Sequence, residues 1–260
     1  MSAKWAEIAV IPIAAVLVGG FLWFEHLTQP EVPEVERPDF TAFADVKEKK
    51  AAFFSYMLPF VRAVNDEIRR ERRRVTKLTD QVSRGKSLRK TELEYLSQLA
   101  ADYRMKSFSV DDPEQIKELR NRVDTIPASL ALAQAANESG WGTSRFARDG
   151  NNFFGIWCWS RDCGLTPKKR SAGETHKVTA YDNVSESVRF YIHTLNTHPA
   201  YGTLRDIRAH QREQNHPVTG HDLALGLESY SERGPAYIKE IRDIIRVNQL
   251  RRFTQVTANI

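Results

Sequence analysis

The sequence predicts an α+β fold that is mainly helical, with a small β-lobe inserted in its middle. Apolar residues recur at helical spacing before residue 140 and again from Ser185 onward. Aromatic and β-branched residues instead crowd the stretch from Asn151 to Asp182. The 260 residues suffice for one domain of ordinary size with appendages. We expect an apolar N-terminal segment, a linker, an N-terminal helical region and a main domain, at 1–29, 30–44, 45–105 and 106–260.

The N-terminal segment contains an uncharged run of 17 residues, IAVIPIAAVLVGGFLWF, from Ile8 to Phe24. This length is near the lower limit for crossing a bilayer, and Trp23 suits a membrane interface. An uncleaved anchor, a cleaved signal peptide and a buried helix all fit the run, and the missing small-residue cleavage site favours the anchor. Anchor and signal peptide both place the rest of the chain outside the cytoplasm.

Helices are predicted on both sides of the β-lobe. Asp45 to Arg84 forms one long helix in this prediction, with a kink or break at Pro59. A helix from Ile126–Pro127 has a small, Ala-rich face, which indicates the buried centre of the domain. The other predicted helices are those near 91–103 and 113–123, from 185 onward, and at 204–213, 220–227 and 235–251.

The predicted β-lobe contains both cysteines, Cys158 and Cys163. Their spacing allows a disulfide to close a small loop in an oxidising compartment, and two free thiols are the alternative. The spacing fits neither a redox CxxC motif nor a zinc site, and we expect no metal and no cofactor. Lys177 to Tyr181 alternates as a strand does, which predicts a short, twisted hairpin as one wall of a cleft.

One carboxylate, Glu138, lies near the end of the Ala-rich helix, three residues before Trp141. A carboxyl group held near an aromatic ring and away from bulk water has a raised pKa and stays protonated near neutral pH. It can then donate its proton to a leaving oxygen, which is the task of the acid in glycoside cleavage. A solvated residue at a helix end is the plainer interpretation of Glu138.

Several motifs resemble, in the same order, the glucosaminidase family of bacterial wall hydrolases, glycoside hydrolase family seventy-three. They are the runs IPASLALAQAANESGWGTSRFA, NNFFGI, AYDNVSES and PAY. The family includes the C-terminal domain of the flagellar rod-scaffold hydrolase, and the N-terminal part of the chain is similar to the Bax-like bacterial proteins. The resemblance implies a lysozyme-like domain over 106–260. It also implies an endo-β-N-acetylglucosaminidase that cleaves β-1,4 bonds after N-acetylglucosamine in peptidoglycan.

The resemblance also implies roles for individual residues. Glu138 matches the general acid of the family. Glu174 is the best match to a second acidic residue in the β-lobe, with Asp162 and Asp182 as rivals. Tyr230 matches a helper tyrosine before the final helix. The aromatic candidates for lining sugar subsites are Trp141, Phe154, Tyr191 and Tyr201, of which Phe154 and Tyr191 also suit the core.

The implied partners are peptidoglycan glycan strands and, through the N-terminal helix, the membrane. A single-pass inner-membrane protein with its catalytic domain in the periplasm is therefore expected. The net charge of +5 suits an anionic polymer, or solubility alone, and the basic run at Arg69–Arg74 is interleaved with Glu, so no nucleic-acid partner is expected. A lytic transglycosylase and a non-catalytic wall-binding or scaffold protein are the alternatives.

Overall fold

The computed structural model combines helices with a small antiparallel sheet, and it describes residues 33–160, 162–167 and 175–254. The mainly helical α+β fold is therefore confirmed, and the described residues belong to one compact unit. The helices are α1 (Val46–Ser83), α2 (Lys90–Asp102), α3 (Pro113–Arg122), α4 (Ala128–Glu138), α5 (Arg145–Gly150), α6 (Val184–Thr197), α7 (Gly202–Glu213), α8 (Gly220–Leu223) and α9 (Pro235–Val247). Short 3-10 turns lie at Pro199–Tyr201, Ala224–Gly226, Glu228–Tyr230 and Leu250–Phe253.

Helix α1 begins where the sequence predicts, because the Asp45 side chain caps it by accepting a hydrogen bond from the Glu48 amide at 2.8 Å. Of the predicted kink or break at Pro59, the break is wrong, since α1 runs through this residue as one helix. Met57 and Phe60 are buried on either side of it. We infer that their burial offsets the hydrogen bond that the proline cannot donate.

Helix α4 is the buried centre of the fold, as its Ala-rich face predicts. Every residue from Ala128 to Ala136 is buried. Helices α1, α8 and α9 and the turn at Leu250–Phe253 all pack against it. Small side chains allow such close packing from several directions. The C-terminal end of α4, where Glu138 lies, is therefore held in a fixed position by its neighbours.

Two hydrophobic clusters share helix α1. Its N-terminal half contributes Phe53 and Met57 to the main core, which also holds Leu130 and Leu132 of α4. Its C-terminal half joins a second cluster with α2 and the end of α3. The predicted N-terminal helical region thus packs directly on the main domain.

The sheet contains β1 (Trp157–Cys158), β2 (Gly164–Leu165) and β3 (Lys177–Thr179) in the order β1-β3-β2. Both outer strands pair antiparallel with β3, where Val178 lies opposite Trp157 on one side and Leu165 on the other. The predicted hairpin is therefore a three-stranded sheet. A disulfide joins Cys158 to Cys163, with 6.2 Å between the Cα atoms.

The membrane prediction requires a correction. No helix within the described ranges is long and apolar enough to cross a membrane. This finding contradicts the expected single-pass location in the inner membrane, and it does not support the expected membrane partner. The run from Ile8 to Phe24 itself lies outside the described residues.

A buried charge cluster fixes the segment that leads into α4. Asp124, only 2 % exposed, forms ion pairs with Arg72 of α1 and with Arg208 and Arg212 of α7. Burial by itself would raise the pKa of Asp124, but the charges of Arg208, Arg72 and Arg212 outweigh it and lower the pKa. Asn65 adds a neutral link, because its amide group exchanges hydrogen bonds with the backbone of Ile126 at 2.8 and 3.1 Å.

Replacing Asp124 with Asn is expected to destabilise the fold by about 3 kcal/mol at pH 7, because three arginines lose their buried counter-charge. The measurement is the denaturant midpoint. Because the folded pKa of Asp124 is lowered, its contribution is present above the unfolded pKa and is lost as the pH falls through the folded pKa. The difference in denaturant midpoint between wild type and Asp124→Asn should therefore become smaller at acidic pH.

Asp243→Asn is the matched control for this variant. Asp243 pairs with Lys239 and Arg246 on the exposed face of α9. The Asp243→Asn variant should leave the denaturant midpoint unchanged at pH 7, because exposed ion pairs contribute little to stability. Equal midpoints for Asp124→Asn and Asp243→Asn would contradict a structural role for the buried cluster.

Candidate active site

Glu138 is the last residue of α4, and its side chain is half-buried. The helix stops here because Gly140 adopts a left-handed φ of 57° and the amide of Trp141 donates back to the carbonyl of Ala136 at 2.8 Å. Burial raises the pKa of Glu138, and this effect exceeds the lowering by its hydrogen bonds from Tyr237 and Asn137. The structure therefore contains a carboxyl group biased towards its protonated form.

A chain of buried hydrogen bonds leads to Glu138. The Tyr191 hydroxyl donates to Oε1 of Gln134 at 2.7 Å, and Nε2 of Gln134 donates to the Tyr237 hydroxyl at 2.9 Å. Tyr237 in turn donates to Oε1 of Glu138 at 2.7 Å. Tyr191, Gln134 and Tyr237 are at most 1 % exposed and come from α6, α4 and α9. Three helices thus fix the orientation of one carboxyl group.

The two oxygens of Glu138 have different surroundings. Both hydrogen bonds that the described residues donate to this side chain fall on Oε1. Oε2 faces the backbone of Gly155, where an added Cβ would lie 3.3 Å away. Gly155 also has a positive φ of 66°, so a side chain here would be both strained and tightly packed against the carboxyl group. The glycine keeps the space beside Oε2 open.

Asn152 shapes the loop that carries Gly155. Its Oδ1 accepts from the amides of Phe154 and Ile156 at 3.2 and 3.1 Å. Its Nδ2 donates to the carbonyls of Ile156 and Thr179 at 2.9 Å each, which ties the loop to β3. Sequence reasoning assigned no role to Asn152, although it lies within the NNFFGI run. Its four hydrogen bonds are the signal that this run positions the loop beside the acid.

The ring of Tyr237 connects Tyr230 to the Glu138 carboxyl group. The Tyr230 ring stacks on that of Tyr237, with centroids 5.5 Å apart and planes 5° apart. Its hydroxyl donates to the carbonyl of Phe154 at 2.9 Å. The tyrosine that touches Glu138 is therefore Tyr237, and Tyr230 supports it from the side. The sequence-based role of Tyr230 as a helper tyrosine stays a prediction.

The predicted sugar-lining aromatics take different positions. Phe154 and Tyr191 stack on each other with centroids 4.0 Å apart, and both are buried, so they belong to the core and have no ring face for a sugar. Tyr201 is nearly buried beside Tyr230, and burial, followed by the charge of Glu138, raises its pKa to about 12.

Trp141, one of the predicted sugar-lining residues, packs against α1. Its backbone adopts a φ of 60°, and its ring packs on Phe53 and Phe54 of α1 at centroid distances of 5.8 and 5.4 Å. The Lys50 ammonium lies 4.8 Å from the ring centroid. The aromatic group in contact with Glu138 is Tyr237, so the predicted raised pKa is present with a different aromatic neighbour.

The candidate second carboxylate cannot be placed beside Glu138. Glu174 lies outside the described residues. Its rival Asp162 is exposed in the β-lobe, and the rival Asp182 begins the approach to α6, where its carbonyl accepts from Asn151 at 3.2 Å. Among the described residues, no cluster of three or more His, Cys, Asp or Glu side chains is arranged to hold a metal ion.

Known proteins provide an independent view of the chain. The glucosaminidase family model, described as mannosyl-glycoprotein endo-beta-N-acetylglucosaminidase, matches residues 113–250. "Protein bax" of Escherichia coli strain K12 is 32% identical over 212 residues, which cover 82% of this chain and 74% of that protein. None of the solved structures gives a significant match. The family match includes Glu138, Gln134 and Tyr237, the residues of the buried hydrogen-bond chain.

Tyr237→Phe is expected to raise the pKa of Glu138 further, because the hydroxyl that stabilises the ionised carboxylate is removed. The alkaline limb of any glycosidase activity should then move to higher pH. The variant also leaves the buried Nε2 of Gln134 without its acceptor, which costs about 1–3 kcal/mol. The measurements are a pH–rate profile and a denaturant midpoint.

Tyr230→Phe serves as the control, since it keeps the stacked ring and removes a hydroxyl that does not contact Glu138. The alkaline limb of the pH–rate profile of Tyr230→Phe should stay at the wild-type position. An unshifted limb in Tyr237→Phe, or an equal shift in both variants, would argue against control of the acid by Tyr237.

Proposed function

Since the chain belongs to the glucosaminidase family, we propose that it is a peptidoglycan hydrolase that cleaves β-1,4 glycosidic bonds after N-acetylglucosamine. The observation that carries the proposal is the half-buried Glu138, whose pKa is raised by burial and whose orientation is fixed by Tyr237. The proposal includes the lysozyme-like arrangement of the domain that the sequence resemblance implies.

In this proposal Glu138 acts as the general acid. The hydrogen bond from Tyr237 occupies Oε1, so Oε2, beside Gly155, carries the proton that is donated to the glycosidic oxygen. Proton donation lets the leaving sugar depart as a neutral alcohol while positive charge develops on the ring that stays behind. A carboxyl group with a raised pKa suits this step, because it keeps its proton closer to neutral pH than an exposed Glu does.

The second half of the reaction needs a group on the other side of the sugar ring. We propose Glu174 for this role on sequence grounds, to orient the attacking water or to stabilise the developing charge. The N-acetyl group of the substrate is the alternative nucleophile. In that case Tyr230 and Tyr201, whose rings lie 6.0 Å apart, are the candidates to form the wall beside it.

The products of digestion test the reaction type. Purified peptidoglycan digested with the full chain should yield fragments with N-acetylglucosamine at the reducing end, as mass spectrometry after borohydride reduction would detect. Fragments that end in 1,6-anhydro-N-acetylmuramic acid would instead identify a lytic transglycosylase. No fragments under any condition would favour a non-catalytic wall-binding or scaffold protein.

Glu138→Gln tests the acid directly. We expect kcat on peptidoglycan to fall at least about a hundredfold, the lower range for general acid catalysis, because the amide has no proton to donate. Glu213→Gln is the matched control, since Glu213 is exposed at the end of α7. Full activity in Glu138→Gln would exclude Glu138 as the acid.

The same variant should change stability in a pH-dependent way. Because the folded pKa of Glu138 is raised, its carboxyl group stabilises the fold below the unfolded pKa, and this contribution is lost as the pH rises through the folded pKa. Neutral Gln avoids that loss. Glu138→Gln should therefore melt above wild type at pH 7 and together with it at about pH 4. A lower melting temperature at pH 7 would contradict the raised pKa.

A further inference from the structure

Two tryptophans of the β-lobe are exposed to solvent. Trp157 is 53 % exposed and Trp159 is 69 % exposed, although an indole is among the costliest side chains to leave in water. Both lie in the aromatic stretch that the sequence predicts as β-structure, and neither belongs to the site around Glu138. Two exposed indole rings separated by one residue indicate a ligand-binding surface.

The exposure pattern indicates that both indoles lie on one face. Exposure alternates from Ile156 to Trp159, with the two tryptophans exposed and the residues between and before them partly covered. This alternation is that of an extended chain, where residues i and i+2 point to the same side about 7 Å apart. Pairing of Trp157 with Val178 and the disulfide of Cys158 restrict the motion of this backbone.

One face of the Trp157 ring is already covered. His176 stacks on it, with centroids 4.2 Å apart and planes 13° apart. Because His176 stacks on one face of the Trp157 ring, the opposite face is presented to solvent in a fixed orientation. This arrangement suits a flat apolar ligand surface, such as the C–H face of a pyranose ring, better than an irregular protein surface.

The exposed face begins close to the acid. Gly155 lies against Oε2 of Glu138, and Trp157 and Trp159 follow it by two and four residues. Because an extended chain spans at most about 3.6 Å per residue, the Cα atoms of Trp157 and Trp159 lie no more than about 7 and about 14 Å from the Cα atom of Gly155. The indoles therefore lie within reach of a glycan strand whose scissile bond is at Glu138.

We propose that Trp157 and Trp159 form a platform that binds N-acetylated sugars of a glycan strand, beyond the sugars at the scissile bond. This inference rests on the proposed function for its ligand class. At their observed exposures the two indoles offer roughly 300 Å² of surface. That area matches one or two sugar rings and is well below the roughly 800 Å² per partner of a stable protein interface.

The test uses the full chain with Glu138→Gln, labelled with ¹⁵N at its indoles, and a hexamer of N-acetylglucosamine as the probe. Titration should shift the side-chain signals of Trp157 and Trp159 and leave that of Trp141 in place. Trp157→Ala combined with Trp159→Ala should weaken binding about tenfold. Replacing both by Tyr should restore most of it, because an aromatic face is retained.

Phe190→Ala is the control, since Phe190 is an exposed aromatic residue on α6, 39 % exposed and outside the platform. Unmoved signals of Trp157 and Trp159, or equal affinity of the double alanine variant and Phe190→Ala, would overturn the platform. Cleavage of peptidoglycan by the chain with Glu138 intact is measured separately. Failure of that reaction would refute the proposed function, whereas the binding result would stand by itself.

Discussion

The hydrogen bond from Tyr237 to Glu138 is the contact on which the candidate site depends. Burial alone would raise the pKa of the carboxyl group but would not fix its orientation. The tyrosine fixes Oε1, limits the rise in pKa and is itself fixed by Gln134, so one short chain of hydrogen bonds sets both the orientation and the protonation of the acid. The opposite oxygen then faces the backbone of Gly155, which has no side chain.

The rest of the fold supports this contact by holding α4. At one end of the helix, Asp124 and its arginines fix the segment before it. At the other end, Trp141 packs on α1, and Phe40 covers Gly142, where any side chain would overlap the phenylalanine ring. Residues far upstream in the sequence therefore help to place the acid, because α1 packs on both ends of its helix.

The sequence predicted what depends on neighbouring residues and missed what depends on packing. Glu138 and the helix that carries it follow from a local pattern of small and apolar residues. Tyr237 lies 99 residues further along the chain, and only the packing of α9 on α4 brings the two together. Trp141 seemed to be the aromatic neighbour because it is close in sequence, but its positive φ turns it towards α1. Continuation of α1 through Pro59 likewise depends on core contacts that no local rule contains.

The position of Glu138 in the fold raises the pKa of its carboxyl group. Its pKa can be measured from the ¹³C chemical shift of the side-chain carboxyl carbon in the glutamate-labelled full chain, with Glu138→Gln identifying the signal. We expect a titration midpoint clearly above the ordinary value of 4.5, close to the alkaline limb of the activity profile. A midpoint at or below 4.5 would contradict the raised pKa.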